Sequence, residues 1–361
     1  MHDPSQRLIW STIGDIAEGS CAELPIVPAE TRHALRPLAG DPSVNDRFVA
    51  EQDLFRLVEL RQPAPAAPPP EALRLGYWNL ERCKYPAATA RLLGRSALDV
   101  ALLGEMDLGC ARSGQAHTTR VLADALGVGY AYGAEFLELA LGDKRERVWH
   151  AGQENTVGYY GNALLTRLAL RRPAMITLDD SGIWFEEPTP RLGRQMVLVA
   201  TVDLAGGPVT LASAHFDSEV PRLRAANMET LLDALERYAP GQPVALGGDF
   251  NTKTVDFRHM NDVAFKQRLL ERDPDRLLRP ERYEPLFAIA AGRGYDWEGC
   301  NVVAHTARQR PDGEPNAPFF RNDFFFLKGL VASAPAQIAA VDEDGVAISD
   351  HEMLAVTVRL S

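Results

Sequence analysis

Cysteine is scarce in this sequence, and its few copies are scattered. The 361 residues include four cysteines, Cys21, Cys83, Cys110 and Cys300, with no CxxC pair and no histidine nearby at metal-ligand spacing. This pattern excludes a cysteine-based zinc site and a dense disulfide framework. We therefore expect a protein of a reducing compartment, although the spacing leaves a single disulfide open as an alternative.

Long apolar runs are missing as well. No stretch reaches the roughly 18 apolar residues that indicate a membrane-spanning helix. The nearest candidate, residues 196–214, is interrupted by Asp203 and by Gly206-Gly207-Pro208. The first ten residues, MHDPSQRLIW, lack the basic start and the apolar core of a signal peptide. These absences predict a soluble, cytoplasmic protein without a membrane anchor.

Basic residues are outnumbered by acidic ones. The chain has 38 Lys and Arg against 49 Asp and Glu, a formal net charge of -11. This balance argues against a protein that holds duplex DNA through bulk charge, because Lys and Arg supply most of that affinity. A locally basic cleft for a phosphate substrate is still compatible with an acidic surface. The hydrophobic share of 46% and the charged share of 24% are typical of a globular chain.

A proline-rich stretch, RQPAPAAPPP at residues 61–70, divides the sequence. Its five prolines remove backbone donors and favour extended geometry, which is typical of a semi-rigid connector. Residues 1–60 are predicted to be a helical extension, with the best apolar stripe over 45–60. This extension is expected to pack on the main domain or to be partly mobile. Residues 71–361 are predicted to form the main domain.

The sequence after residue 71 alternates short apolar runs with helical patterns, which indicates a mixed α/β layered fold. Eight runs are predicted to be strands: 74–79, 100–105, 162–166, 196–203, 209–215, 244–249, 323–327 and 354–358. The fourth and fifth runs flank a glycine-containing turn and are predicted to pair as a hairpin. Helices are predicted over 118–126 and 222–238, because apolar residues there fall largely on one face.

Polar side chains recur where the predicted strands begin or end. They are Asn79, Glu105, His215, Asp249, Asn251, Asp323, Asp350 and His351. Each one alone is more simply explained as a turn-former or as a hydrogen-bonded core histidine. Strand ends of α/β proteins also present polar groups to clefts. Because carboxylates, carboxamides and histidines recur together in separate segments, we interpret them as one active site.

The oxygen ligands in this set predict a hard divalent cation. Glu105 and Asp350, with Asn79 beside them, suit Mg²⁺ or Mn²⁺ and not zinc. Such an ion neutralises charge that builds on phosphate oxygens. His215 and His351 add groups that exchange protons near neutral pH. The set therefore predicts hydrolysis of a phosphate ester.

Seven segments in fixed order resemble the endonuclease/exonuclease/phosphatase superfamily, which includes pancreatic deoxyribonuclease, the exonuclease III type nucleases and the neutral sphingomyelinases. The segments are WN, GEMD, GNALLTR, AHFDS, GGDFNT, RNDFFF and SDHEML. The resemblance covers roughly residues 72–360, and GGDFNT and SDH are its most specific parts. It implies a four-layered α/β sandwich, in which two mixed β-sheets pack face to face with helices outside and a metal cleft at one edge.

The resemblance also implies roles for the residues at its matched positions. Glu105 would be a principal metal ligand, with Asp350 close to the same ion and Asn79 in the metal shell or on the phosphate. His215 and Asn251 would hydrogen-bond the scissile phosphate.

The general base has two candidates by the same resemblance. Asp249 would orient or deprotonate the attacking water, and His351, paired with Asp323, would be the other general base or would stabilise the phosphate. Asn162 in GNALLTR would face the substrate. Arg112 follows the metal segment closely and is favoured to bind the substrate, although most arginines near the matched segments are expected to be surface cations.

The leading hypothesis is a Mg²⁺- or Mn²⁺-dependent phosphoesterase, in particular a phosphodiesterase or nuclease. The alternatives are a phospholipid or small-molecule phosphodiesterase or phosphatase, and a catalytically silent binding module on the same scaffold. The presence of Glu105, Asp249, Asp350 and His351 favours an enzyme over the silent module. The partner is then a phosphate-ester substrate, and the sequence leaves its identity and the oligomeric state open.

Overall fold

The protein is described by a computed structural model over residues 13–181, 189–255, 259–260, 262–309 and 318–361. The first ten residues, whose composition predicts no signal peptide, lie outside these ranges. The described helices include none with the length and apolar composition needed to cross a lipid bilayer.

The described residues form fifteen strands and eight α-helices. The strands are β1 (Ile16–Ala17), β2 (Ser20–Cys21), β3 (Val58–Arg61), β4 (Leu73–Arg82), β5 (Val100–Leu108), β6 (Gly129–Glu138), β7 (Tyr159–Thr166), β8 (Arg171–Thr177), β9 (Arg191–Gly193), β10 (Met196–Leu204), β11 (Gly207–His215), β12 (Val244–Asp249), β13 (Asp323–Lys328), β14 (Leu330–Ile338) and β15 (Met353–Leu360). The helices are α1 (Ala29–Leu35), α2 (Pro42–Glu51), α3 (Pro86–Arg95), α4 (Thr118–Leu126), α5 (Lys144–Trp149), α6 (Pro221–Tyr238), α7 (Val263–Arg272) and α8 (Leu286–Gly292).

The strands assemble into two mixed sheets. The smaller sheet has six strands in the order β1-β8-β10-β11-β12-β13, with β11 and β12 parallel. The larger sheet has nine strands in the order β14-β15-β4-β5-β7-β6-β3-β2, with β9 beside β6. Its parallel pairs are β4 with β5 and β2 with β3. The hairpin predicted from the glycine-containing turn is confirmed as β10 and β11, which pair antiparallel.

The two sheets pack face to face, and helices cover their outer faces. Side chains of α3 and α4 join the core of the larger sheet, and side chains of α6 and α8 join the core of the smaller sheet. At the sheet interface a Cβ on Gly247 would lie 2.9 Å from Phe325 and 3.0 Å from Leu102, so glycine permits this close approach. The predicted four-layered α/β sandwich is confirmed.

Local sequence signals explain several helix boundaries. Helix α4 begins where the side chain of His117 accepts a hydrogen bond from the backbone of Arg120, and it ends at Gly127 with φ +64°. That left-handed conformation favours glycine and terminates a helix. Helix α5 begins with a capping box, in which Asp143 and Glu146 each accept a hydrogen bond from the backbone of the other.

Residues before the proline-rich stretch contribute to both sheets. Strand β1 pairs with β8 of the smaller sheet, and β3 pairs with β6 of the larger one. Phe48, Leu54, Phe55 and Val58 are buried in the same core as the larger sheet. The segment thus contains strands as well as the helices α1 and α2. The division of the chain at residues 61–70 stays a prediction, and these contacts determine how it can be tested.

Candidate active site

Three candidate residues lie side by side at one edge of the smaller sheet. His215 at the end of β11 pairs in register with Asp249 of β12, which pairs with Asp323 of β13. The preceding residue, Gly248, leaves room for this alignment, because a Cβ there would lie 2.7 Å from the carbonyl oxygen of Ala214. The GGD sequence is therefore regular strand whose glycines permit close packing.

The larger sheet directs Asn79 and Glu105 to the same edge through irregularities in two neighbouring strands. The β4–β5 register shifts between Asn79 and Arg82, and the β5–β7 register shifts between Leu103 and Met106. Glu105 has φ +57°, a left-handed conformation that is unusual for a residue other than glycine. Such bulges re-aim side chains next to active sites. Here the bulge turns Glu105 toward Asn79.

The side chain of Asn79 connects the two sheets. Its Nδ2 donates to Oε1 of Glu105 at 3.0 Å and to Oδ2 of Asp249 at 3.0 Å. The backbone carbonyl of Asn79 accepts from the hydroxyl of Ser349, two residues before His351. Side chains from separate parts of the sequence therefore meet around one amide group.

His351 is held at one ring nitrogen and at its backbone. Its Nδ1 lies 2.8 Å from Oδ2 of Asp323, and its carbonyl accepts from the indole nitrogen of Trp78 at 2.8 Å. Asp323 is anchored in turn because its backbone N–H donates to the hydroxyl of Thr306. Burial would lower the pKa of His351, but the charges of Asp323 and Asp249 raise the pKa well above its ordinary value.

His215, like His351, lies near the carboxylate of Asp249. Its Nε2 is 3.9 Å from Oδ2 of Asp249, and its Nδ1 is 3.3 Å from the hydroxyl of Tyr160 on β7. Burial lowers the pKa of His215, and the charges of Asp249 and Glu105 offset only part of that effect. Sequence reasoning missed Tyr160, because it lies inside a strand and belongs to no segment that carries the resemblance.

Asn251 and Asp350 complete the group of candidates that the structure brings together. The backbone N–H of Asn251 donates to Oδ1 of Asp249 at 2.8 Å, and its side-chain Nδ2 donates to the carbonyl of Phe216 at 2.8 Å. Its φ of +49° places it in the left-handed region, as at Glu105. Asp350 is half-buried, with its Oδ1 4.0 Å from Nε2 of His351.

Two predicted substrate contacts are not supported by the geometry. Asn162 is fully buried, and its Nδ2 donates to Oε1 of Glu135 at 3.0 Å and to the carbonyl of Met196 at 2.8 Å. Both hydrogens of that amide are therefore used inside the protein. Asn162 helps to hold β6, β7 and β10 together, which corrects its predicted position facing the substrate.

Arg112 likewise serves a buried ion cluster and does not face the cleft. Its Nε and Nη2 donate to the two carboxylate oxygens of Asp107 at 2.9 and 2.8 Å, and Nη2 also contacts Glu138 at 3.2 Å. The side chain is only 2% exposed. A guanidinium whose donors are directed at carboxylates in the interior is not available to a substrate phosphate, so the predicted role of Arg112 is corrected.

Arg82 is the arginine that contacts a candidate metal ligand. Its Nη1 donates to Oε2 of Glu105 at 3.0 Å, and its Nε lies 3.3 Å from Oε1 of Glu146 on α5. Burial would raise the pKa of Glu105, but the charges of Arg82 and His215 outweigh it and lower the pKa below its ordinary value. Sequence reasoning missed Glu146, because its D-x-x-E pattern indicates only the start of a helix.

The donor chemistry of the cluster fits the predicted divalent cation. Ligand atoms of Asp249, Asp323 and His351 lie within 4.8 Å of one another. The hydrogen bond between His351 and Asp323 already engages two of these three groups. Oxygens of Glu105 and Asp249 both accept hydrogen bonds from Nδ2 of Asn79, and carboxylate oxygens are ligands that hard divalent cations prefer.

Several solved structures share this architecture. The endonuclease/exonuclease/phosphatase from Beutenbergia cavernae DSM 12333 is 18% identical, with a TM-score of 0.53 over 81% of this chain and 72% of that chain. The corresponding protein from Bacteroides vulgatus is 11% identical, with a TM-score of 0.53 over 80% and 99%. The human Nocturnin catalytic domain with bound sulfate anion is 16% identical, with a TM-score of 0.53 over 81% and 94%. At these identities the likeness shows the fold alone.

Sequence comparison identifies the family. No curated protein matches the chain. The sequence profile of the Endonuclease/Exonuclease/phosphatase family matches residues 76–351. The matched range starts three residues before Asn79 and ends at His351. The chain therefore belongs to the Endonuclease/Exonuclease/phosphatase family of hydrolases that act on phosphate ester bonds.

Proposed function

We propose that this protein is a Mg²⁺- or Mn²⁺-dependent phosphodiesterase of the nuclease type. The observation that carries the proposal is the convergence of polar groups on one oxygen, Oδ2 of Asp249. That oxygen lies 3.0 Å from Nδ2 of Asn79, 3.7 Å from Nε2 of His351 and 3.9 Å from Nε2 of His215. Donors from both sheets thus surround a single carboxylate, which suits a group that orients or deprotonates an attacking water.

The metal in this proposal would be held by Glu105 and Asp350, with Asn79 beside them. When bound, it would supply a Lewis acid that neutralises charge on the phosphate oxygens. Arg82 keeps Glu105 ionised and oriented through its contact at 3.0 Å. An ionised carboxylate is the form that coordinates a cation.

The remaining groups have the positions needed for proton transfer and phosphate binding. Asp323 engages Nδ1 of His351, which leaves Nε2 to face Asp249 and the cleft. Tyr160 contacts Nδ1 of His215 and similarly leaves Nε2 toward the cleft. Asp249 and His351 are the two candidates for activating the attacking water, and His215 would hydrogen-bond the phosphate or the departing oxygen.

The first experiment is hydrolysis of bis-p-nitrophenyl phosphate with Mg²⁺, with Mn²⁺ and with excess EDTA. The Asp249→Asn variant should lose activity by at least about 10²-fold, the usual contribution of a positioned acid or base. The matched control is Asp203→Asn, a similar change at an exposed carboxylate paired with Arg171. Equal activity of wild type and Asp249→Asn would overturn the proposal.

A substrate panel then separates the classes that the family leaves open. It contains single- and double-stranded DNA, RNA, sphingomyelin, inositol phosphates and the monoester p-nitrophenyl phosphate. We propose that diesters are preferred over monoesters. Hydrolysis of sphingomyelin alone would favour the phospholipid alternative, and no hydrolysis with any member would favour a silent binding module. The cytoplasmic location stays a prediction of the sequence.

A further inference from the structure

A cavity of about 340 Å³ has none of the candidate active-site residues in its lining. Arg279, Arg282, Arg321, Trp297 and Val303 line it. Its volume is at the lower end of the range for small-molecule sites. Three arginines and a tryptophan around one cavity are the side chains that bind phosphate groups and stack on flat rings.

Arg321 is the unusual member of this set. Its side chain is 2% exposed, yet Nε and Nη1 have no hydrogen-bond partner among the described residues. The carboxylate of Glu281 is 3.8 Å from Nη1, beyond hydrogen-bond distance, and the guanidinium lies 4.4 Å from the ring centre of Phe324. A buried charged group with unused donors is costly unless a ligand satisfies it.

Burial lowers the pKa of Arg321 to about 10, helped by the neighbouring charge of Arg279 and opposed by Glu281. The guanidinium therefore stays charged at neutral pH. Its fork of N–H groups matches two oxygens of a phosphate, a geometry that a lysine could not provide.

The lining of the cavity holds one more arginine than it holds carboxylates. Glu281 and Glu298 also line the cavity, so its lining holds three arginines and two carboxylates. Glu281 contacts Arg279 at 3.5 Å, while Arg282 pairs with Asp275 outside the cavity lining. Arg321 is thus the deeply buried cation of the cavity, with Arg279 and Arg282 nearer to solvent.

Trp297 offers a flat apolar surface in the same cavity. Its ring is fixed by an edge contact with Phe287 at 5.1 Å between ring centres, and it is half-buried. Stacking on such a ring suits a nucleobase, because every base has a π-face.

We propose that this cavity binds one nucleotide unit, with its phosphate on Arg321 and its base against Trp297. The binding does not rest on the phosphodiesterase activity proposed above. The nucleotide unit could be a free mononucleotide or part of a single-stranded polynucleotide, and the two share this chemistry.

The cavity adjoins the catalytic segment through the backbone of Arg321. The hydroxyl of Thr252 donates to the carbonyl of Arg321 at 2.8 Å, and Thr252 follows Asn251 directly. Arg321 itself lies two residues before Asp323. A polynucleotide that filled the cavity would therefore pass close to the catalytic edge of the smaller sheet.

The test is calorimetric titration of the full chain in EDTA, where a metal-dependent reaction is suppressed. The probes are adenosine 5′-monophosphate, inorganic phosphate and a short single-stranded oligonucleotide. Wild type should bind the mononucleotide saturably, and Arg321→Met should bind it at least about tenfold more weakly, because charge-assisted hydrogen bonds are lost. Arg293→Gln, which changes an exposed arginine paired with Asp233, should bind as wild type does.

Further variants keep the test decisive. Asp249→Asn should bind the mononucleotide as wild type does, which separates this cavity from the active site. If Arg321→Met does not fold, the double variant Arg279→Gln/Arg282→Gln should show weaker binding with the fold intact. Tighter binding of the oligonucleotide than of the mononucleotide would assign the cavity to a polynucleotide. Unchanged binding in both arginine variants, or no saturable binding to wild type, would overturn the proposal.

Discussion

The imidazole of His351 and the carboxylate of Asp323 form a buried pair, with Nδ1 and Oδ2 2.8 Å apart. The two residues are 28 positions apart in sequence, and Asp323 comes from the edge strand of the smaller sheet. The pairing fixes which ring nitrogen faces the cleft, because the nitrogen that donates to a carboxylate is not available to a substrate. We therefore expect Asp323 to act through His351, as a positioning residue.

The first prediction tests this positioning. Asp323→Asn should lower kcat for bis-p-nitrophenyl phosphate by about 10²–10⁴-fold, because an amide no longer enforces the tautomer or stabilises the charged ring. KM should change much less than kcat. A matched loss of stability without a loss of kcat would show that Asp323 is only structural, and Asp203→Asn serves as the control.

A second prediction concerns Glu105, the proposed metal ligand. Glu105→Gln should raise the metal concentration for half-maximal activity by about tenfold or more, since an amide oxygen is a weaker ligand than a carboxylate. Mn²⁺ binding measured by electron paramagnetic resonance should weaken in parallel. Glu154→Gln, at an exposed glutamate, should behave as wild type. Full activity of the wild type after exhaustive chelation would contradict the metal assignment itself.

Much of the site could be predicted because its residues lie at the ends of regular strands. His215 and Asp249 end their strands, and Asp323 begins the neighbouring strand. The predicted strand boundaries therefore locate all three residues. The predicted substrate contact of Arg112 was wrong because its partner Glu138 is distant in sequence. The residues next to Arg112 in the sequence give no sign of this buried ion cluster. Glu146 was missed for the same reason, as its contact with Arg82 depends on tertiary packing.

The strands were likewise predicted only in part. All eight predicted strand runs lie within observed strands, because their apolar residues are continuous and bounded by turns. Strand β6, GYAYGAEFLE, was not predicted because its two glycines and alanines weaken the strand pattern, although every residue in it is buried. Strand β14 was not predicted because it has no fully buried residue and contains Pro335. Both strands are stabilised by pairing with neighbouring strands, and the sequence alone does not show which strands pair.

The third prediction concerns Glu146, which contacts Arg82, the partner of the proposed metal ligand Glu105. In Glu146→Gln, Arg82 loses one of its two carboxylate partners and would be held by Glu105 alone. The site also gains positive charge. The metal concentration for half-maximal activity should therefore rise roughly 3–10-fold, the effect of one charge at short range in a partly buried site. Glu154→Gln is again the control, and unchanged metal binding would show that Glu146 has no part in metal binding.

The fourth prediction is a pH dependence of stability that originates at Glu59 on β3. Its carboxylate accepts hydrogen bonds from Nε2 of His117 at 2.8 Å, the hydroxyl of Tyr130 at 2.6 Å and the backbone of Leu24 at 3.0 Å. Burial would raise the pKa of Glu59, but these hydrogen bonds outweigh it and lower the pKa to about 2.

A carboxyl group with a lowered pKa in the folded state stabilises the protein above its unfolded pKa, and the effect is lost as the pH falls. Glu59→Gln should therefore reduce the free energy of unfolding by about 2 kcal/mol at pH 7. The difference from wild type should shrink as the pH falls from about 4.5 toward 2. Urea unfolding of both proteins at several pH values measures it. Glu51→Gln, at an exposed glutamate of α2, should show no such trend.

The last prediction tests the division of the chain at the proline-rich stretch. A chain beginning at Glu71 keeps every candidate active-site residue, so it should still hydrolyse bis-p-nitrophenyl phosphate at low temperature. It loses β3, whose removal exposes the edge of β6, and it loses Phe48, Phe55 and Val58 from the core. Each buried side chain contributes about 1.5–3 kcal/mol, so the free energy of unfolding should fall by about 5 kcal/mol or more.

Urea unfolding followed by circular dichroism measures this loss, and the rate of diester hydrolysis at the same temperatures shows whether the site survives. A chain beginning at Ile13 retains all described residues and is the matched control. Because natural domains are stable by only about 5–15 kcal/mol, the Glu71 chain should be partly unfolded at 37 °C while the Ile13 chain is not. Equal stability of the two chains would mean that residues 13–70 contribute little to the core, and the boundary predicted from the prolines would then mark an independent domain.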